Sequence, residues 1–365
     1  MRPTIVSLLR AGLLALAAGL AACGSGGGGG GGDGGGGGDP GDNADLKFPK
    51  TYYSLESFRA VAPNGMFVAH DATGAPLYYA NYNAQRVELK PLTEGQKLAV
   101  DALNINGAVV GRALDNGAGL LYWSSADATP VRVKQVSPGR TAYITGINRW
   151  GQMVGWEALS PDKPLYWPRF DAEPVPLPLR PEVAGGEEGR AYGITDSGLA
   201  YGMLFPQQRR QWYWRLPRNG APEGPFEFES PVAATATNVL HVTAKEVAVG
   251  FTRLMAGQSP SELAIRYGQP DSFSNNLRWE PDTKTARAVY SNAAGLVVGS
   301  ITDQAGRQHA VLWPASGIPM YLQRLFPTHQ ALFRRAVAVT DDNVVFIESH
   351  RAPSAGKLLV LKWPY

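Results

Sequence analysis

A nine-residue figure constrains this chain more than any other feature. In LNINGAVVG, Leu103 to Gly111, an apolar residue and an Asn lead into a tight turn at Gly107, and small or apolar residues run out to a second Gly. The figure returns as INRWGQMVG ending at Gly155, ITDSGLAYG ending at Gly202 and VYSNAAGLVVG ending at Gly299. Looser copies are VAPNGMFVA ending at Ala69, VTAKEVAVG ending at Gly250 and VTDDNVVFI ending at Ile347. The turn positions are Gly65, Gly107, Gly151, Gly198, Glu246, Gly295 and Asn343, at steps of 42, 44, 47, 48, 49 and 48 residues. Short strands repeated at this period are the mark of a β-propeller.

The second copy shows what one repeat contains. LAVDALN reads as a strand, Asn106-Gly107 as a tight turn, AVVG as a second strand, LLYW as a third and VRVKQV as an alternating fourth. Four antiparallel strands in about 40 residues make one blade. The third strand carries a landmark ring: Trp123, Trp167 and Trp214 each lie 16 residues after their turn Gly, with Trp313 and Trp363 in the sixth and seventh copies. Tyr79 and Tyr267 take this place in the first and fifth copies. Fourth strands are expected at 87–92, 131–136, 175–179, 226–230, near Leu277-Arg278-Trp279 and over MYLQRL, Met320 to Leu325. The seventh copy stops after its third strand, and a strand-like TYYSL, Thr51 to Leu55, precedes the first. The sequence therefore predicts an all-β fold: a single seven-bladed β-propeller of four-stranded antiparallel blades, closed by an N-terminal strand joining the last blade. Six or eight blades stay open, because the fifth copy has Glu246 for Gly and a long PDSFSNN insertion.

The N-terminus has a different character. Arg2 and Arg10 flank the start of an apolar run that ends in Leu20-Ala21-Ala22-Cys23. This resembles a bacterial lipoprotein signal peptide with its lipobox. The resemblance implies cleavage before Cys23, lipid attachment to Cys23, and a membrane partner reached through that anchor. Gly24 in place of Asp implies the outer membrane. Cys23 is the only Cys of the 365 residues, so no disulfide can form within one chain. Residues 24–42 are nearly all Gly and have nothing apolar to bury. A Gly-rich coil of about 20 residues spans roughly 25 Å. The expected division is a leader at 1–22, a lipidated Cys and tether at 23–45, and the propeller at 46–365.

The sixth copy, NAAGLVVGS followed by His309-Ala310-Val311 and Leu312-Trp313, resembles the HAF-type repeat of bacterial extracellular proteins. In degraded form the resemblance covers Phe58 to Tyr365, and only this copy keeps the His-Ala pair. It implies a secreted propeller architecture and brings no family-wide activity.

Chemistry is sparse. None of His70, His241, His309, His329 and His350 stands at metal-ligand spacing from another. In a closed ring His70 and His350 fall on neighbouring blades. No GxSxG elbow occurs, and no Asp series has the spacing of a calcium loop. No pattern calls for a cofactor. Without the leader, 32 basic residues face 31 acidic ones, which gives no excess to suggest nucleic acid. Trp212 and Tyr213 in QRRQWYWR, with Trp150, are the rings a carbohydrate binder would need exposed. Lys97, Arg140, Arg190, Lys284 and Arg334 each lie 8 to 11 residues before their turn. That position gathers them around one channel mouth, where they would focus positive potential on an anionic partner or ligand. The sequence thus points to a membrane-anchored, non-catalytic binding platform with a protein, anionic or glycan partner. A secreted propeller hydrolase or lyase acting on polysaccharide or peptide, or a carbohydrate-binding protein, remains the alternative.

Overall fold

The computed structural model describes residues 50–364, apart from 53–54, 116–118, 136–139, 160, 181–187, 206–209, 219, 230–233, 271, 274–276, 328–332 and 350–357. The expected leader, Cys23 and the tether lie outside the described residues, as do His329 and His350.

After β1 (Lys50–Tyr52), the first repeat forms β2 (Leu55–Val61), β3 (Phe67–Asp71), β4 (Pro76–Tyr79) and β5 (Arg86–Glu88). The second forms β6 (Leu98–Leu103), β7 (Val109–Ala113), β8 (Leu120–Trp123) and β9 (Val131–Arg132). The third forms β10 (Ala142–Ile147), β11 (Met153–Glu157), β12 (Lys163–Trp167) and β13 (Val175–Pro176). The fourth forms β14 (Glu188–Ile194), β15 (Leu199–Phe205), β16 (Arg210–Arg215) and β17 (Glu223–Glu227). The fifth forms β18 (Ala234–Val242), β19 (Ala248–Leu254), β20 (Glu262–Gln269) and β21 (Ser272–Phe273). The sixth forms β22 (Thr283–Ser291), β23 (Val297–Asp303), β24 (Gln308–Trp313) and β25 (Met320–Tyr321), then a short helix α1 (Leu322–Leu325). The seventh forms β26 (Arg335–Val339), β27 (Val344–Glu348) and β28 (Leu358–Lys362).

Within each repeat the strands pair antiparallel in chain order. One parallel pairing, Glu262 with Thr285, joins the fifth and sixth repeats into an eight-stranded sheet. The last sheet takes its fourth strand from the other end of the chain: β1 pairs antiparallel with β28, Thr51 opposite Leu359. This strand covers Lys50 to Tyr52 rather than Thr51 to Leu55, and Leu55 already opens β2.

The turns explain why each figure folds back on itself. All seven turn positions have positive φ, including Glu246 and Asn343, both at 63°. The polar residue that opens a turn also satisfies its backbone. Asn104 Oδ1 accepts the N–H groups of Asn106 and Ala108 at 3.0 and 2.9 Å, and Thr195 Oγ1 accepts that of Leu199 at 3.0 Å.

The core lies between sheets. Each hydrophobic cluster takes one part from one repeat and one from another. Leu89 and Leu98 meet Trp123, Val154 and Leu177 meet Trp214, and Phe67 and Tyr79 of the first repeat meet Phe346 and Leu358 of the last. The landmark rings fill these seams and pin them. Trp123, Trp167, Trp214 and Trp313 are fully buried. Their indole N–H groups donate to the carbonyls of Lys90, Lys134, Pro178 and Arg278, at 2.8, 2.7, 2.8 and 2.9 Å, each in the preceding repeat. Tyr267 does the same through its hydroxyl, to Glu229 O at 2.8 Å. A ring with one polar tip is suited to a place that is apolar along its length and meets backbone at its end.

The outer strands differ most from expectation. Several are only two residues long, and MYLQRL is a strand only over Met320 and Tyr321 before α1 begins. The reason is local. Leu322 is fully buried, and the Gln323 amide donates to Phe333 O at 2.6 Å, which turns the chain inward. In the fifth repeat β21 is the paired strand, ahead of the expected Leu277. Leu277 still packs in the core, and Arg278 O receives Trp313.

Candidate functional site

All seven opening strands carry the same irregularity. β2, β18 and β22 each have a register shift near their start, at Glu56, Thr235 and Lys284, and in every pairing of first with second strand the register also shifts by one residue six positions before the turn, leaving one residue extra there. The extra residues are Arg59, Asp101, Thr145, Tyr192, Leu240, Val289 and Val337. A β-bulge of this kind bends its strand and re-aims a side chain. It also accounts for the Gly that ends the repeated figure. A Cβ on Gly111, Gly155, Gly202, Gly250 or Gly299 would stand 1.8 to 2.1 Å from a carbonyl oxygen of the bulged strand. In these five sheets the second strand passes too close for any side chain, whereas in the first and last sheets Ala69 and Ile347 occupy this register.

A cavity of about 380 Å³ is bordered by residues from β2, β6, β10, β14, β18, β22 and β26. Six of the bulge residues line it: Arg59, Asp101, Thr145, Tyr192, Leu240 and Val337; in β22 it is Tyr290, next to Val289. The following position is small in most strands, Ala60, Ala102, Gly146 and Gly193, but His241 and Tyr290 stack there at 3.6 Å between ring centroids. One residue further on, Val61, Leu103, Ile147, Ile194 and Val242 border both this cavity and a smaller one of about 140 Å³. They form an aliphatic partition. Beyond it lie the turn-opening Asn104, Thr195 and Asn292, with Asp196 and Asp341.

The wall of the larger cavity has two characters. One side carries Arg59, Asp101, Thr145 and Tyr192; the other carries Leu240, Val337 and the stacked His241–Tyr290 pair. Burial pushes the Asp101 carboxyl up to about 6, against the pull of Arg112 and Arg59. Arg112 Nη1 reaches both carboxylate oxygens at 2.8 Å. Behind this pair the Arg112 guanidinium lies 4.7 Å over the Tyr143 ring, which stacks on Trp156 at 4.7 Å, and Arg190 covers Trp156 at 5.3 Å. Arg59 makes no hydrogen bond or ion pair among the described residues and is exposed to the cavity. Burial raises the Tyr192 hydroxyl pKa, and this hydroxyl also has no hydrogen-bond partner among the described residues. Burial lowers His241 to about 3, and its Nδ1 accepts the Ser291 N–H at 3.4 Å, so the ring is neutral at ordinary pH.

The five basic residues singled out by spacing sit where the chain enters the opening strands. Lys97 and Arg334 immediately precede β6 and β26, Arg140 lies two residues before β10, and Arg190 lies in β14 and Lys284 in β22. None of the five lines either cavity. Arg190 is tied to Asp162 at 2.6 Å, and Arg334 Nε donates to Gln308 Oε1 at 3.2 Å. Lys97, Arg140 and Lys284 are exposed. Of the three candidate stacking rings, Trp212 and Tyr213 are buried in seams. Trp150 is 49% exposed, but Arg218 covers its ring at 3.8 Å. His70 is buried within β3, its Nε2 has no hydrogen-bond partner among the described residues, and burial lowers its pKa to about 4. His309 Nε2 lies 3.2 Å from Asp303 and its ring meets Tyr321 edge-on, which are structural contacts. Among the described residues no three His, Cys, Asp or Glu side chains stand together as a metal site would require.

The bulge residues were not singled out from the sequence. They share no residue type, so pattern matching passes over them. A positional signal does exist. Each lies six residues before its turn position and ten before the last residue of the figure.

No family model matches the chain, and no curated protein matches it in sequence. Solved structures do. One of two prolyl endopeptidases described together for inter-domain dynamics in catalysis and specificity aligns with a TM-score of 0.55 and 12% identity, over 86% of this chain and 51% of that one. Apo prolyl oligopeptidase B from Galerina marginata aligns with a TM-score of 0.55 and 10% identity, over 85% of this chain and 48% of that one. A β-propeller domain from Myceliophteria thermophila aligns with a TM-score of 0.50 and 10% identity, over 87% of this chain and 99% of that one. This chain spans about half the length of the endopeptidases. At these identities the likeness shows a propeller-type all-β fold and no activity.

Proposed function

We propose that this chain is a lipid-anchored protein of the bacterial cell envelope whose folded part is a closed, seven-bladed propeller serving as a non-catalytic binding platform. One observation carries the binding reading. Along the seven opening strands, positions that build the scaffold repeat, whereas the residues that face the cavity at or beside the bulge are Arg59, Asp101, Thr145, Tyr192, Leu240, Tyr290 and Val337 in turn. Packing alone needs no such variety at one register, and a ligand or partner does.

Support for the closed ring comes from contacts between successive hairpins. Asn64 donates to Ile105 O, Asn106 to Arg149 O, Ser197 to Glu246 and Lys245 to Ala293 O. The Arg149 N–H donates to Asp196 and the Ala293 N–H to Asp341. The Asp341 N–H then donates to Pro63 O at 2.7 Å, which links the last hairpin to the first. The pairing of β1 with β28 and the Phe67–Phe346 contact at 5.1 Å run the same way.

The anchor rests on Leu20-Ala21-Ala22-Cys23 and the Gly-rich stretch that follows, and Gly24 favours the outer membrane. Changing Cys23 to Ser should move the protein from membrane to soluble fractions; a variant that stays membrane-bound would end the lipoprotein reading. Crosslinking in intact cells followed by purification tests the platform. A defined partner or ligand supports it. A peptidase reading draws on the endopeptidases among the similar structures; cleavage of peptides by the purified chain would replace the platform with that reading.

A further inference from the structure

The cavity wall specifies the chemistry of what it holds. It contains one cation that makes no hydrogen bond or ion pair among the described residues, Arg59, and one carboxylate, Asp101, held by Arg112 and within reach of the charge of Arg59. The hydroxyl of Tyr192 is unpaired among the described residues, and Thr145 donates its proton to Ala191 O at 2.7 Å, leaving its oxygen able only to accept. Opposite in character are Leu240, Val337 and the Tyr290 ring. We propose that this cavity binds a small monocarboxylate with a flat apolar body, the carboxylate taken by Arg59 and the body resting against Leu240, Val337 and Tyr290.

The charge of the ligand follows from arithmetic at the site. A free guanidinium presents paired N–H donors that match a carboxylate, and it does so best where water is restricted. A dianion would meet the Asp101 carboxylate with its second charge, whereas a monoanion is neutralised by Arg59 alone. A cation would find only Asp101, whose carboxylate already faces Arg112 at 2.8 Å and the charge of Arg59. The aliphatic partition of Val61, Leu103 and Ile147 keeps the ligand on the bulge side. Entry is then from the end where the opening strands begin, past Lys97, Arg140 and Lys284. Exposed cations at an entrance raise the local concentration of anions even when they touch none of them.

The inference rests on the binding-platform reading in one respect, that the ligand leaves unchanged. The test is calorimetric titration of the purified full-length protein with 2-naphthoate and with its uncharged amide. The carboxylate should bind at least about tenfold more tightly than the amide, the value of one charge-assisted pairing. Arg59→Gln should remove that preference while leaving the amide unaffected, and Arg59→Lys should keep part of it. Val337→Trp, which fills the cavity, should abolish both, whereas Val175→Trp on the exposed β13 should change neither. Equal affinity for acid and amide, full carboxylate preference in Arg59→Gln, or no binding by the wild type would overturn the site and leave the platform standing. Chemical conversion of the probe would leave the site standing and overturn the non-catalytic reading. Thermal midpoints of the variants separate loss of binding from loss of fold.

Discussion

The seams between sheets and the wall of the cavity are built from the same repeats under opposite rules. In the seams like residues recur at like places: a large ring, fully buried, with its polar tip on a carbonyl of the preceding repeat. On the wall one register holds a different side chain in nearly every copy. The contrast comes from what each place must do. A seam must reach close packing with its backbone groups satisfied, and a Trp or Tyr meets both demands. Part of the wall also packs, since Tyr192, Tyr290 and Val337 lie against seam clusters, whereas Arg59 and Leu240 are exposed and free to be specified by something outside the chain. In a repeat protein, departures from the repeat at a solvent-facing register are therefore the better guide to function.

This contrast can be broken by experiment. The largest effect is expected at a seam. Trp214→Ala removes a fully buried ring and its bond to Pro178 O, and should cost about 3–5 kcal/mol in denaturant unfolding. A cost near zero would mean the seams do not carry the fold. Next comes the close approach behind a bulge. Gly155→Ala puts a Cβ 1.8 Å from Tyr143 O and should cost roughly 1–3 kcal/mol or more, with the midpoint falling accordingly. If it is tolerated without loss, the bulge is not what holds Gly at the end of the figure.

Acid should act through the buried titratable groups. Burial holds His70 at about 4 and His241 at about 3, while the unfolded chain takes up these protons near 6.5. Below that pH the unfolded state binds more protons, so stability falls from about pH 6.5 towards 4. Asp101 works in the other direction. Its folded carboxyl keeps a proton up to about 6, against 3.8 ordinarily, and contributes stability at pH 4 that is lost as pH rises to 6. Two histidines outweigh one aspartate, and the net effect is an acid loss. His241→Phe, which keeps a ring beside Tyr290, should make that loss shallower, and Asp101→Asn should make it steeper. Denaturation midpoints across this pH range that do not move in these senses would remove these residues from the account. The smallest effect belongs to the wall: Arg59→Gln should change stability by less than about 0.5 kcal/mol, since Arg59 is exposed and makes no hydrogen bond or ion pair among the described residues.

Much of the scaffold was legible in the sequence because its parts have residue-type signatures. A turn needing positive φ shows as Gly, and the spacing located it even at Glu246 and Asn343, where the residue gives no hint. The Trp landmarks marked the seams, and the missing last strand pointed to the one that β1 provides. The outer strands were read poorly. Only two or three residues pair in several of them, and α1 follows from where Leu322 is buried rather than from any helical period. The cavity wall was not found at all: a register filled by Arg, Asp, Thr, Tyr, Leu and two Val has no motif. The spacing that gathered Lys97, Arg140, Arg190, Lys284 and Arg334 fell two to five residues before the bulge, at the strand entrances rather than on the wall.

The central claim is that binding occurs at the unlike register of the opening strands and not on the outer edges. A photoreactive side chain can be placed at Tyr192 on the wall or at Val175 on β13, in otherwise intact protein in its own cells. Illumination followed by intact-mass measurement should give a discrete adduct from position 192 and none from 175. An adduct from position 175 with none from 192 would contradict the account.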